Sequence, residues 1–405
     1  MDTMIEVSEA RERVERAIRR MPEEHLPLDE TLGMVLAADA RSDVSVPPSD
    51  CSAMDGFAVR ADDLGGEATR LRVVEEIMAG RFPRREVGAG EAARIMTGAP
   101  MPGGADAVVM VEKTTSPSRE MVEVRDAPEA GQHVRVAGED LSEGCVVLRA
   151  GTAIRAAEIG LLASAGCEPV PVFRRPVVAA LTTGDEIVPP GEKPGLGQIR
   201  DSNGPALRAA IREAGGVPLD LGTARDERGH TEELVRRGLD EADCLVTSAG
   251  VSVGDRDYVL DALEAAGLER SFWRVKQKPG KPLLFGVAGE KPVFGLPGYP
   301  VSTLISFEQY VRPSIRRMLG LTGHGRRMIV ATATEEIRGA KERLTFLRVV
   351  VERGETRGWR VALAGAQASG VLSTMARADG LIELEAGRVI EEGGRIEVRL
   401  LRPIS

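Results

Sequence analysis

Between residues 176 and 319 short apolar runs alternate with amphipathic stretches, and this alternation constrains the fold more than any other feature of the chain. The run VVAAL at 177–181 is apolar at consecutive positions, the pattern of a strand covered on both faces. Asp201, Ser202 and Asn203 then precede a helix with Leu207, Ala210, Ile211 and Ala214 on one stripe, which stops at Gly215 and Gly216. Strands at 217–221 and 244–247, a polar helix at 232–239, a helix at 258–266, strands at 283–287 and 293–296, and a last helix at 303–319 continue the series. Strand and helix units of this length predict a three-layer domain with a mainly parallel sheet. In such sheets ligands sit beyond the carboxyl ends of the strands, so the polar loops are where chemistry is expected.

The flanks read differently. A chain of 405 residues exceeds one hydrophobic core, so two to four domains are expected. Residues 8–21 have helical periodicity, with Ser8 placed as a cap and Pro22 as a stop. From 27 to 144 the pattern turns to short extended runs, at 71–77, 107–111 and 121–124, which predicts a mostly β module. Residues 156–165 return to helix and end at Gly166, and Pro169 and Pro171 mark a boundary. After Gly320, runs at 328–332, 345–351, 359–363, 381–384 and 395–401 predict a small closed or nearly closed β domain, with 368–372 a surface loop.

Bulk properties narrow the function. The formal charge of -9 disfavours a nucleic-acid partner, and 3% aromatic residues leave no stacking platform for single strands. Cys51, Cys145, Cys167 and Cys244 lie far apart without a C-x-x-C pair, which fits a reducing compartment and no thiolate cage. The opening residues lack the order of a secretion signal and no run reaches membrane-spanning length, so a cytoplasmic protein with no membrane partner is expected. His25, His133, His230 and His324 occur singly, which argues against a zinc hydrolase.

Several loops carry groups suited to an anion or a cation. Three turns pair glycine with carboxylates: Met54-Asp55-Gly56, Gly138-Glu139-Asp140 and Gly184-Asp185-Glu186. Each suits a divalent cation or a protonated ligand, and each alone also reads as a solvated turn. The stretch from Thr247 to Asp257 gathers small residues whose amides and hydroxyls can converge on an anion, though it lacks the ending of a phosphate-binding Walker loop. Lys276, Lys278 and Lys281 surround the rigid bend Pro279-Gly280, which can neutralise an oxyanion or serve as a solubilising turn. The turn from Gly295 to Pro300 leads from a strand into a helix and can present fixed amides, while Thr97 and Gly98 read equally as a ligand contact or a local cap.

Taken together, the strings PPSDCSAMDGFAV at 47–59, RIMTGAPMPGGADAVV at 94–109, AGED at 137–140, TTGDEIV at 182–188, DSN at 201–203, SAGVSVGDRDY at 248–258, KPGKP at 278–282 and GLPGYPVS at 295–302 resemble the molybdopterin molybdenumtransferase family. That family includes the bacterial enzyme and the C-terminal enzymatic domain of animal gephyrin, and the resemblance runs in the same order from about residue 11 to the end. It implies a multidomain α/β plus β chain: a helical linker region (1–26 and 143–175), an inserted mostly β region (27–142), a central domain (176–320) with the fold of molybdopterin adenylyltransferase, and a C-terminal β barrel (321–405).

It also implies a homodimer that takes adenylylated molybdopterin and molybdate or tungstate, with magnesium assisting release of AMP, and a molybdopterin adenylyltransferase as handover partner. The implied anion site is Lys278, Lys281 and Ser302, with Ser248, Gly250, Ser252, Pro297 and Pro300 as further substrate-binding residues. Asp185, Glu186 and Asp257 are assigned to the metal, Asp55 and Asp140 to catalysis and Thr97 to substrate binding, the last three acting from the inserted region of the same or the partner subunit. The chain departs from the family pattern at Cys51 (commonly asparagine), Ala249 (commonly glycine), Tyr299 (commonly asparagine) and Asp379, within a late A-N-G-L string. Two rival readings share the central fold: an adenylyltransferase acting on molybdopterin with ATP, and a dimeric pterin-binding scaffold without turnover.

Overall fold

The computed structural model describes residues 4–65, 68–250, 258–321, 323, 325–354 and 358–404. Contacts divide the chain into two compact units, one of Met1–Glu24, Gly33–Val35 and Phe173–Ser405, the other of His25–Leu32 and Leu36–Val172. Residues 1–26 and 143–175, which the resemblance groups as one helical region, fall on both sides of this division. Among the described residues no helix is long and apolar enough to cross a membrane.

Helix α1 (Val7–Ala17) opens the first unit. Its N-cap is Glu6 rather than Ser8, because Val7 is itself buried and the helix must begin early enough to place it inward with Ala10 and Val14. It stops at Ile18, well before Pro22.

The second unit is built on strands β1 (Gly56–Val59), β2 (Thr69–Ile77), β3 (Glu91–Ile95), β4 (Ala107–Met110), β5 (Thr114–Ser118) and β6 (Met121–Val124), ordered β4-β1-β3-β2-β6-β5. Only β2 and β3 run parallel. Side chains alternate across this sheet: Phe57, Val59 and Val109 enter one core, Ala58, Val108 and Ile95 the other. Gly56 is required where it stands, because a Cβ there would lie 2.0 Å from the Val109 carbonyl oxygen. Helix α2 (Ala156–Ser164) ends before Gly166, whose φ of 72° closes it.

The first unit carries the three-layer domain. Strands β7 (Val177–Thr183), β8 (Val217–Ala224), β9 (Cys244–Ser248), β10 (Leu268–Arg274), β11 (Pro282–Ala288) and β12 (Lys291–Leu296) are ordered β8-β7-β9-β12-β11-β10. The first four in that order are mutually parallel, and β11 and β10 add antiparallel pairs. Helices α3 (Asn203–Ala214), α4 (Arg228–Glu241) and α5 (Tyr258–Ala265) cover its faces. The apolar run 177–181 meets two cores at once: Val178 and Ala180 pack with Leu207 and Ile211 of α3, Ala179 and Leu181 with Val235 of α4 and Val259 of α5. Burial on both faces at 178–181, with Val177 half-buried, is why that stretch shows no alternation.

The last helical stretch starts at Pro300 rather than 303: α6 (Pro300–Ser306) passes through a π turn at Phe307–Val311 into α7 (Arg312–Met318). Proline is preorganised for the first helical position, which extends the helix towards the preceding turn. Strands β13 (Met328–Ala333), β14 (Leu344–Arg353), β15 (Trp359–Leu363), β16 (Gly380–Leu384) and β17 (Arg395–Leu400) pair around a ring in the order β14-β15-β13-β17-β16-β14, a closed barrel. Helix α8 (Leu372–Arg377) interrupts it, beginning at the last residue of the expected 368–372 loop, in a stretch for which the sequence predicts no element. Gln277 and Lys278 pair in parallel with Leu344 and Thr345, which ties the lysine bend to the barrel.

Candidate active-site cleft

The loops after β7, β9 and β12 open at the same end of the sheet and line a cleft of about 1270 Å³ together with the lysine bend. Thr182 and Thr183 come from the end of β7, Ser248 and Ala249 from β9, and Pro297, Gly298, Tyr299 and Pro300 from β12. β11 runs opposite to β12, so its leading segment, Lys278-Pro279-Gly280, reaches the same end. Lys278, Ser302 and Glu186 therefore line one cavity.

The bend is held from beneath. Gln277 is fully buried, its Nε2 donates to the Gly280 carbonyl at 3.0 Å, and its Oε1 accepts from the Tyr310 hydroxyl at 2.7 Å. Gly280 adopts a φ of 90°, and a Cβ there would lie 2.8 Å from both Gln277 Nε2 and Ser306 Oγ. Burial pushes the Tyr310 phenol well above its ordinary range, so it stays a donor to Gln277 at any physiological pH.

Asn203, the first residue of α3, joins two of the cleft's loops. Its Nδ2 donates to Ser248 Oγ at 2.8 Å and to the Gly298 carbonyl at 2.8 Å. Thr303 Oγ1 adds a bond to the Pro297 carbonyl at 2.6 Å. Neither residue stands out in the sequence as a site residue. Asn203 reads there only as a polar position at a helix start, inside the DSN string. Ala249 has a φ of 71°, which a side-chain-bearing residue adopts only at a cost, and a Cβ at Gly298 would lie 3.1 Å from the Ala249 methyl. The Ala249 methyl therefore narrows the space beside Gly298 in this part of the cleft. Gly250, with a φ of 71°, sits against Val259 of α5.

The barrel supplies the remaining wall, through Arg343 and the loop from Gln367 to Gly370. That loop is shaped by Arg348, a fully buried cation whose Nη2 donates to the carbonyls of Ala366 at 3.0 Å and Ala368 at 3.2 Å and whose Nε donates to Thr374 Oγ1 at 2.9 Å. Tyr299 projects beside Gly370 and is 66% exposed, so its ring stands at the mouth rather than in the core.

The other sequence-derived residues are distributed as follows. Asp185 and Lys281 are exposed and adjoin cleft residues without lining the cavity, and Asp185 Oδ1 accepts from the Asp226 amide at 3.1 Å. Asp201 lines the cleft and accepts from the Gly204 amide at 2.9 Å. Ser252 and Asp257 lie outside the described residues. Among the described residues no three histidine, cysteine or acidic side chains converge as a metal cage.

In the second unit, Asp55 Oδ1 accepts from the Thr97 amide at 2.7 Å and from the Thr97 hydroxyl at 2.8 Å. The amide bond, then the hydroxyl, holds this carboxyl below the ordinary aspartate range, with Arg94 adding a smaller pull. Asp140 is exposed, on the segment whose backbone pairs with Val46.

Three family models match the chain in order: "MoeA N-terminal region (domain I and II)" over 5–166, "Probable molybdopterin binding domain" over 179–317, and "MoeA C-terminal region (domain IV)" over 330–401. Molybdopterin molybdenumtransferase 2 of Mycobacterium tuberculosis is 36% identical over 370 residues, covering 89% of this chain and 90% of that protein. The chain belongs to the molybdopterin molybdenumtransferase family. A further member, from Bacillus subtilis, is 34% identical and spans 99% of this chain and 95% of its own length. The crystal structure of a molybdopterin biosynthesis MoeA protein from Pyrococcus horikoshii superposes with a TM-score of 0.85 at 34% identity, covering 99% of this chain and 100% of that one. The family's architecture is thus shared along nearly the whole length, barrel and inserted sheet included.

Proposed function

We propose that this protein inserts molybdenum from molybdate into adenylylated molybdopterin, releasing AMP and forming the molybdenum cofactor. The observation that carries this reading is the convergence of Lys278, Ser302 and Glu186 on one cleft at the carboxyl end of a parallel sheet. Family membership over both flanking regions supports insertion over adenylyl transfer, because full-length relatives carry the molybdenumtransferase name.

The chemistry follows from the groups. Molybdate is a tetrahedral dianion that must shed oxygen as dithiolene sulfur enters. Lys278 offers a fixed positive charge for the oxyanion, and Ser302, near the start of α6, offers a hydroxyl beside it. Lys281, at the far side of the same bend, is the second cation of this proposal. Ser248, aligned by Asn203, and the Pro297 to Pro300 turn, with Gly250 behind it, form the pterin side. Protonating a departing oxygen eases its loss, and the bend and its acidic rim supply groups for that transfer. Asp55, Thr97 and Asp140 are proposed to serve the same reaction in a homodimer.

Magnesium belongs to the proposal. It is commonly held by one or two carboxylates completed by waters and substrate phosphates, so it needs no cage of three such side chains among the described residues. Glu186, with Asp185 beside it, provides suitable hard oxygen donors, and Asp257 is the third proposed ligand. When bound, the ion makes phosphorus more electrophilic and stabilises AMP as a leaving group.

The test supplies purified adenylylated molybdopterin, magnesium and either molybdate or tungstate. The expected result is oxyanion-dependent AMP release with metal bound to the dithiolene. Production of adenylylated pterin from ATP would assign the chain to the adenylyltransferase class that is proposed to hand over its substrate. Binding of pterin without any AMP release would make it a scaffold.

A further inference from the structure

Among the described residues that line the Lys278 cleft, Tyr299 is the one aromatic side chain, in a chain with only 3% aromatic residues. Most large rings of this unit go inside: Phe272, Phe285, Phe294, Phe307 and Phe346 are all buried. Tyr299 is instead 66% exposed, and its hydroxyl makes no hydrogen bond among the described residues. A bare ring at the mouth of a polar cleft has a face free for a ligand.

The backbone that carries this ring is fixed on both sides. Pro300 confines Tyr299 to an extended conformation, with φ of -69° and ψ of 128°. The Tyr299 carbonyl accepts from the Thr303 amide at 2.9 Å and from the Thr303 hydroxyl at 3.1 Å, and Thr303 is fully buried. Two residues on, the Val301 amide donates to the Ser369 carbonyl at 3.1 Å, which joins the turn to the barrel loop. One edge of the ring faces that loop, since a Cβ at Gly370 would lie 3.8 Å from Tyr299 Cδ1. A side chain presented from so constrained a turn loses little freedom when a ligand meets it. Tyr299 also stands three residues before Ser302, so the two lie on the same side of the start of α6, and both line the cleft.

We propose that Tyr299 stacks its ring on the pterin of the substrate, an assignment that rests on the insertion reaction proposed above. The dithiolene is carried on a ring fused to the pterin. A pterin whose sulfurs reach an oxyanion at Lys278 and Ser302 therefore lies beside this turn, whereas adenine lies beyond the pyrophosphate. A flat heterocycle offers a face that an exposed phenol can cover while its hydroxyl stays in water.

The test is anaerobic titration of the full chain with molybdopterin and, separately, with AMP. Tyr299→Ala should weaken molybdopterin about tenfold, the loss of one stacked ring, and leave AMP affinity unchanged. Tyr299→Phe keeps the face and should hold molybdopterin within about twofold of wild type. Both variants should keep the wild-type Tm, because the side chain is exposed. Unaltered molybdopterin affinity in Tyr299→Ala, a loss confined to AMP, or equal losses in the two variants would overturn the proposal. These affinities are read without turnover, so a wild type that releases no AMP would remove the insertion reading and leave the stacking contact to be judged on its own.

Discussion

At Ala249 a single methyl sets both backbone strain and cleft width. Left-handed backbone at a residue with a Cβ costs about 1–2 kcal/mol, more than the entropy that alanine removes from the unfolded chain relative to glycine. Ala249→Gly is therefore expected to stabilise the protein by about 0.5–1 kcal/mol, opposite to the usual sign of this substitution, as denaturant titration would show. At Asp55 the argument is electrostatic. Its folded-state pKa is depressed by Thr97, so the interaction is fully present above the ordinary aspartate pKa and is lost as pH falls through the lower folded value. Thr97→Val removes the hydroxyl bond and keeps the amide bond, and should move the Asp55 titration midpoint part of the way back up. Carboxyl-resolved NMR titration reads this directly, and an unmoved midpoint would mean the hydroxyl contributes nothing.

Among elements, those that position the cleft differ in how far they can be read from sequence. Strand β7 is legible because burial on both faces leaves a run of apolar residues, and α3 because its stripe ends at Gly215, whose φ is 100°. Strand β10 is not: LERSFWR carries charge at exposed edge positions and breaks the alternation that marks a strand. Helix α8 is only six residues long and follows a glycine, too short for periodicity to show. The lysine bend is recognisable from its proline and glycine, but its support is not, since Gln277 and Tyr310 meet only in three dimensions. Tyr310→Phe strands a buried acceptor on Gln277 and should cost about 1–3 kcal/mol, with weakened oxyanion use. The 367–370 loop depends similarly on Arg348. Replacing that residue with methionine removes the donor to the Ala366 carbonyl and the Thr374 hydroxyl and leaves the Ala368 carbonyl only the Val371 amide, and should destabilise the barrel by about 3 kcal/mol, visible as a lower Tm. An unchanged Tm would mean that the loop is held by its other contacts.

Across the whole molecule, the sequence specifies the order of modules well and the composition of the cleft less completely. The central parallel sheet, inserted sheet and closing barrel follow from changes in periodicity along the chain, and the comparisons show the same fold over nearly the full length. The cleft joins segments some 190 residues apart, from Thr182 to Gly370, so local pattern cannot disclose that the barrel contributes a wall. With a net charge of -9, the overall field opposes an anion, so the oxyanion binding proposed here rests on the local charge of that bend. The most direct measurement is the molybdate concentration dependence of AMP release by wild type and Lys278→Ala, with pterin binding and Tm followed alongside. Loss of a charge-assisted contact of about 2 kcal/mol predicts a molybdate requirement raised roughly thirtyfold, with pterin affinity and Tm unchanged. An unaltered molybdate dependence in the variant would contradict the assignment of this bend to the oxyanion.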